Sequence, residues 1–134
     1  MPGITNELKD EILGNHFVAP TGDLYLALFD VEPDDDGSGA TEITGLGYNR
    51  VSISFTDVVM HESHNNAIVP MPLAQADWGP VGGIGIMNSL ADATGMKAHA
   101  PIRVNGPTGD IVTLQILEDD TLKFPSGAIS VAWL

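Results

Sequence analysis

Apolar residues recur at helical spacing at the start of the chain. The positions that share one helix face are Ile4, Leu8, Ile12, Leu13 and Phe17. The pattern predicts one amphipathic helix over residues 4–17, capped by Thr5 or Asn6 and ended before Pro20. We expect its apolar stripe, with Leu8, Ile12 and Phe17, to dock on the chain's own sheet, the alternative being a neighbouring subunit.

Short apolar or alternating runs replace the helical pattern after residue 20. Residues 23–29 are apolar on both faces, as in a strand covered on both sides. Residues 47–55 alternate, so that Val51, Ile53 and Phe55 point one way and Arg50 points to the exposed face. The other predicted strands are residues 67–73, 81–87, 97–104, 111–117, 122–124 and 128–134.

These short strands and their turns predict an all-β fold. About eight strands, with turn residues every eight to twelve positions, favour a β-sandwich, and a jelly-roll arrangement is one form of it. We therefore expect residues 1–20 to form a helical arm and residues 21–134 to form one β-sandwich domain.

A tryptophan next to a glycine-rich strand predicts a packing centre. Trp78 and Gly79 lead into residues 81–87, a run that also holds Gly82, Gly83 and Gly85. Glycine inside a strand is usual where another group comes very close. We expect the indole to be buried over these glycines; the alternative is an exposed ring that stacks on a sugar or a base.

Composition narrows the function classes. The chain has 134 residues, enough for one domain, and its 18 acidic residues against 5 Lys and Arg give a net charge of −13. Such a surface repels phosphate, so we expect no nucleic-acid or membrane partner. The sequence has no Cys, which excludes disulfides, thiolate metal sites and Cys nucleophiles. No apolar run approaches the ~20 residues of a membrane span.

One acidic loop loosely resembles a calcium-binding loop. Glu32, Asp34, Asp36 and Gly37 have approximately the right spacing, but Pro33 interrupts them and no helices flank the loop. A solvated loop is the favoured interpretation, with a calcium site as the alternative.

The histidines form no recognised catalytic motif. His61, Glu62 and His64 lack the spacing of a metalloprotease helix, so we expect a polar loop there, with weak surface chelation of a metal as the alternative. The sequence has no P-loop and no Gly-x-Ser-x-Gly motif. We therefore expect no enzyme activity, no catalytic residues, no cofactor and no metal.

The order of several short motifs resembles a family. These motifs are Thr41-Glu42-Ile43-Thr44-Gly45, Gly47-Tyr48-x-Arg50, Asn66-x-Ile68, Ala76-Asp77-Trp78-Gly79 and Asp120-x-Leu122-x-Phe124. In this order they resemble small virion proteins of tailed bacteriophages, which are called tail-fibre-like or capsid cement (decoration) proteins. The chain departs from the family pattern over residues 96–119, where it looks about one hairpin longer.

The resemblance implies a structural virion protein. Its first implication is a capsid cement protein on the outer surface of the head, made in the host cytoplasm, that bridges subunits of the major capsid protein and itself forms a dimer or trimer. The alternative is a tail or head-fibre component that contributes to host attachment. In this picture Tyr48 and Arg50 brace the sheet, with an interface role as the alternative, and Trp78 and Gly79 belong to the structural core.

Overall fold

The N-terminal helix is shorter than the apolar pattern predicts. In the computed structural model, which describes residues 5–20, 22–90, 95–104 and 109–132, α1 spans Asn6–Leu13 and continues into a π-type turn over Gly14–Val18. Thr5 caps the helix as predicted, because its hydroxyl oxygen accepts a hydrogen bond from the Leu8 backbone N–H at 3.3 Å. Ile4 lies outside the described residues.

The helix packs on the rest of the chain through its C-terminal end. Leu13 and Phe17 are buried in the main core, and the Phe17 ring meets Phe55 edge-on at 5.6 Å. Ile12 is half-buried, whereas Leu8 is 42% exposed. Docking on the chain's own sheet is thus observed for Leu13 and Phe17, but the prediction that the whole stripe docks there is wrong for Leu8.

The remaining secondary structure in the described ranges is β. The strands are β1 (Leu24–Phe29), β2 (Val51–Ile53), β3 (Glu62–His64), β4 (Val69–Pro70), β5 (Gly79–Val81), β6 (Gly83–Met87), β7 (Met96–Pro101), β8 (Leu114–Ile116), β9 (Lys123–Phe124) and β10 (Ser130–Ala132). The all-β class with one short N-terminal helix is confirmed. These described ranges hold ten strands and not the predicted eight, because one predicted run divides into β5 and β6 and one strand, β3, was not predicted.

One four-stranded antiparallel sheet organises the fold. Its strand order is β2-β1-β6-β7, and at its centre Leu26 lies opposite Ile86 and Leu28 opposite Ile84. The other six strands pair two by two, β3 with β10, β4 with β9 and β5 with β8. These pairings define one sheet and three ribbons within the described residues, so the two-sheet sandwich stays a prediction.

Some strand predictions needed correction. The predicted strand over residues 81–87 is divided into β5 and β6 at Gly82, and residues 111–117 are strand only over β8. Glu62–His64, predicted to be a polar loop, is strand β3 because it pairs with β10 from the far end of the chain. The predicted turn at residues 105–110 lies mostly outside the described residues.

The main core lies under β1 and β6. Leu26, Leu28 and Val81 have no exposed surface, and Trp78 and Phe55 belong to the same cluster. Burial of this continuous apolar surface is the main stabilising contribution to such a fold. No helix in the described ranges has the length and apolar character needed to cross a membrane.

Candidate assembly surface

Trp78 is buried directly before β5, between residues 45–46 and the end of β8. The residue is 7% exposed, and its indole N–H donates a hydrogen bond to the Leu46 carbonyl oxygen at 2.9 Å. Its backbone N–H donates to the Ile116 carbonyl at 2.8 Å. The ring lies so close to Gly45 that a Cβ there would overlap it, and Gly79 next to it has a φ of +82°. The ring is therefore buried, and its N–H group has its hydrogen-bond acceptor within the chain.

Gly82, between β5 and β6, and the glycines of β6 have a different role from the predicted one. A Cβ at Gly82 would lie 2.7 Å from the Asp30 carbonyl oxygen, and one at Gly85 would lie 2.9 Å from the Phe29 ring. The prediction that the indole lies over these glycines is wrong. They instead allow the end of β1 and the loop after it to approach the backbone closely, and Gly45 takes the place against the ring.

A buried ion pair lies beside the indole. Arg50 is 6% exposed, and its Nε and Nη2 donate to the two carboxylate oxygens of Glu42 at 2.8 and 2.7 Å. The Tyr48 hydroxyl donates to the same carboxylate at 2.6 Å and accepts from the Leu28 N–H at 3.0 Å. A third Arg50 nitrogen donates to the Ser89 carbonyl at 2.9 Å. We call Glu42, Tyr48 and Arg50 the Glu42 cluster.

The ionisation of the Glu42 cluster follows from its contacts. Partial burial alone would raise the pKa of Glu42, but hydrogen bonds from Arg50 and Tyr48 outweigh it and hold the pKa below its ordinary value. Burial, aided by the hydrogen bond to Glu42, raises the pKa of Tyr48 well above its ordinary value. The carboxylate therefore stays charged and the phenol stays a donor, which favours a fixed structural link.

The cluster corrects one prediction and adds a residue. Alternation placed Arg50 on an exposed face, which is wrong, because the bidentate contact with Glu42 allows the guanidinium to be buried. The Tyr48 ring also meets Trp78 edge-on at 5.5 Å, so the cluster and the indole form one unit. Sequence reasoning named Tyr48 and Arg50 but missed Glu42 as their shared partner, since no local spacing signals that contact.

The acidic loop after β1 is attached to the edge of the main sheet. His99 on β7 contacts Glu32 through Nδ1 at 2.7 Å and Asp35 through Nε2 at 2.8 Å. Partial burial would lower the pKa of His99, but the hydrogen bonds to Asp35 and Glu32 raise it overall. Sequence reasoning did not assign this contact to His99. Within the described ranges, no three His, Asp or Glu side chains are grouped to hold a metal ion.

The turn before β3 presents apolar side chains on a left-handed backbone. Met60 and His61 have φ values of 52° and 64°, and Val59 and Met60 are 67% and 86% exposed. The His61 ring contacts Asp10 of α1 at 2.7 Å, which connects this turn to the helix. The exposed pair at the tip is available for contact with another molecule.

A surface groove lies between α1, β7 and β10. Its volume is about 540 Å³. The residues that line it include Leu13, His16, Phe17, Lys97, His99 and Val131. Leu13, Phe17 and Val131 are buried members of the main core, so the base of the groove is apolar and firmly held. Such a groove can receive an apolar segment of another molecule.

A comparison with protein-family models relates the chain to a known family. The family described as Podophage GP4 fiber I protein gp80 matches residues 4–132, which is nearly the whole chain and includes the Glu42 cluster, Trp78 and the groove. A search of curated proteins finds no match.

Proposed function

Because the chain belongs to the family of the podophage GP4 fiber I protein gp80, a family of tailed-phage virion proteins, we propose that it is a fibre component of the virion and not an enzyme. The observation that carries this proposal is the family match over residues 4–132, since the family is described by a fibre protein. The fibre role stood second to capsid cement in the sequence-based prediction.

The geometry supports an assembly role. Glu42 and Tyr48, whose pKa values are shifted by their surroundings, form hydrogen bonds with each other. Glu42 also accepts from Arg50, and Tyr48 accepts from the Leu28 N–H. Apolar side chains are instead exposed at loops. Those more than half exposed are Leu46, Val59, Met60, Ile68, Leu73, Leu90, Ile111 and Leu117. Exposed apolar surface on a firmly held body suits contact with other virion subunits, including further copies of the chain in a dimer or trimer.

Capsid cement is the second candidate. A small body with a net charge of −13 suits the outside of a DNA-filled head, because its surface repels the packaged phosphates. In this case the main partner is the major capsid protein, and many weak contacts sum to a large reinforcement of the shell. The two candidates share a virion location and differ in the partner and in the number of copies.

The number of copies in purified particles tests the proposal. Quantitative mass spectrometry with labelled peptide standards gives the ratio of this chain to the major capsid protein, and cryo-electron microscopy locates it. A fibre component is expected at a small fraction of the capsid copy number and at a tail or neck position. A ratio close to that of the major capsid protein would replace the fibre role by the cement role. Absence from particles would overturn both.

A further inference from the structure

Three leucines with largely exposed side chains lie around one loop, residues 74–78. Leu46 is 64% exposed, and Leu73 and Leu117 are each 52% exposed. Leu73 directly precedes the loop, and the other two belong to segments that form backbone hydrogen bonds with it. We call these three side chains the leucine patch. Apolar side chains grouped at a surface are a common feature of contact sites for other proteins.

Hydrogen bonds hold the backbone beneath the leucine patch in place. The Leu46 carbonyl oxygen accepts from the indole N–H of the buried Trp78 at 2.9 Å. On the other side of the loop, the Asp119 N–H, two residues after Leu117, donates to the Ala74 carbonyl oxygen at 2.8 Å. Because the backbone is already fixed, a partner that covers these leucines loses little affinity to the ordering of the surface.

Exposed carboxylates border the leucine patch and have no cation beside them. They belong to Asp77, Glu118, Asp119 and Asp120. Asp77 accepts from the Glu118 N–H at 2.8 Å, and Asp120 accepts from the Leu117 N–H at 2.9 Å. Within the part of the chain that the structure describes, none of the four forms an ion pair with Lys, Arg or His. The negative charge of this acidic rim is therefore unmatched within the described residues.

We propose that the leucine patch and its acidic rim bind a segment of another virion protein that carries Lys or Arg among apolar side chains. The apolar side chains cover Leu46, Leu73 and Leu117, and the cations pair with the carboxylates of Glu118 and Asp119. Charge complementarity selects such a segment over an acidic one, because an acidic segment would be repelled by the rim. This inference rests on the proposed virion role and names the kind of partner.

A second copy of the chain fits this surface less well. Contact between the leucine patches of two copies would bring their acidic rims together, in two bodies that each carry a net charge of −13. A copy that binds through another face offers few cations, because the chain has only 5 Lys and Arg and Arg50 is buried against Glu42. The charge of the rim thus favours a different protein as the partner.

One pair of variants tests the apolar contact. Leu117→Gln removes apolar surface from the leucine patch, and Ile111→Gln is its matched control, because Ile111 is 60% exposed and lies opposite Arg103. Each full-length variant is supplied, below saturation, to a phage that lacks the gene, and its copies per purified particle are measured by mass spectrometry. We expect Leu117→Gln to reduce the copies about fivefold and Ile111→Gln to reduce them less than about twofold.

A second pair of variants tests the charge of the rim at equal net charge. Glu118→Gln combined with Asp119→Asn removes two rim charges and keeps the side-chain shapes, and Asn tolerates the φ of +71° at position 119. Glu7→Gln combined with Glu11→Gln removes two charges from exposed positions of α1. We expect the rim variant to reduce the copies per particle about threefold and the helix variant to leave them unchanged.

Melting curves check that each variant is folded, and Leu46→Gln takes the place of Leu117→Gln if the latter melts early. Equal incorporation of wild type and Leu117→Gln would overturn the leucine patch as a binding site while leaving the virion role standing. Equal losses for the rim variant and the helix variant would also overturn the inference, because the total charge of the chain, and not the rim, would then control incorporation.

A solution assay tests the leucine patch independently of the particle. Wild-type protein is titrated with a synthetic peptide that alternates leucine and lysine, and with a matched peptide of leucine and glutamate. Amide resonances of Leu46, Leu117 and Glu118 should shift with the lysine peptide only, and added salt should weaken this binding because the rim is exposed.

Three results of this assay would overturn the inference. They are no shift at these residues with the lysine peptide, equal binding of both peptides, and a dimer of wild-type protein that Leu117→Gln dissociates. Absence of the wild-type chain from particles would instead overturn the proposed function, and the peptide assay would still decide about the leucine patch.

Discussion

Two charged regions of the molecule are built in opposite ways. In the Glu42 cluster, the Arg50 side chain is 3% exposed and donates hydrogen bonds to the Glu42 carboxylate and the Ser89 carbonyl. At the groove, His99 holds the acidic loop through Asp35, whose side chain is fully exposed to water. The first region lies against the core next to Trp78, and the second lies along an edge strand.

The difference indicates which of the two regions contributes more to the stability of the fold. A buried charge that loses its partner keeps the full cost of its desolvation, whereas an exposed ion pair is replaced by water at little cost. The Glu42 cluster should therefore tolerate no change, and the edge at β7 should accept substitutions without unfolding.

The largest effect is expected for Arg50→Ala. The change leaves the Glu42 carboxylate without its bidentate partner and removes the hydrogen bond to Ser89. Because Glu42 keeps 26% of its side chain exposed, water can reach it in part, and we expect a loss of about 3 kcal/mol in the free energy of unfolding, the lower end for broken buried pairs. Urea denaturation at neutral pH measures this loss.

Arg103→Ala is the matched control for Arg50→Ala. Arg103 is exposed, and its guanidinium donates to the Gly109 carbonyl at 2.9 Å. We expect a change of about 0.5 kcal/mol or less, as for most surface substitutions. Similar losses for the two variants would contradict the contrast between the buried cluster and the exposed surface.

The next largest effect is expected for a pair of glycine substitutions, one at a tightly packed position and one at an open position. A methyl group at Gly45 would overlap the buried indole of Trp78, so Gly45→Ala should cost about 1–3 kcal/mol in the free energy of unfolding. Gly14, on the helix side of the molecule, has a helical φ of −60° and open space around it. Gly14→Ala should therefore stabilise the protein by about 0.5–1 kcal/mol. Calorimetric melting of both variants tests the opposite signs, and equal signs would refute the packing argument.

Local patterns predicted the parts of the fold that local forces determine. Strand β1 followed from a continuous apolar run, and its bounds are close to those of residues 23–29. The helix followed from apolar spacing and from the cap at Thr5. In both cases the residues that cause the structure are neighbours along the chain, so periodicity and propensity are sufficient.

The contacts that the sequence did not reveal join distant segments. The alternating pattern predicted that Arg50 is exposed, because it contains no information about Glu42 on another loop. Strand β3 was missed because its partner is β10, near the end of the chain. The glycine beneath the indole was assigned to the adjacent strand, whereas Gly45 comes from a separate loop. Long-range pairing of polar groups has no periodic signature, and most of the candidate assembly surface depends on it.

The smallest effect concerns the pH dependence of the His99 contact. The folded pKa of His99 is raised above its unfolded value of about 6.5, because the hydrogen bonds to Asp35 and Glu32 outweigh partial burial. Its contribution is therefore fully present below about pH 6.5 and is lost as the pH rises through the folded pKa. We expect wild type to exceed His99→Gln in the free energy of unfolding by at most about 1 kcal/mol at acidic pH, and the difference to vanish at alkaline pH.

Urea denaturation of wild type and His99→Gln across this pH range measures the difference directly, since titration of the remaining carboxylates is common to both proteins and cancels. The double variant Glu32→Gln and Asp35→Asn should remove the same pH-dependent contribution while it keeps the imidazole, because His99 then lacks both acceptor carboxylates. A difference between wild type and His99→Gln that stays constant with pH would show that the ring stabilises the edge by packing alone.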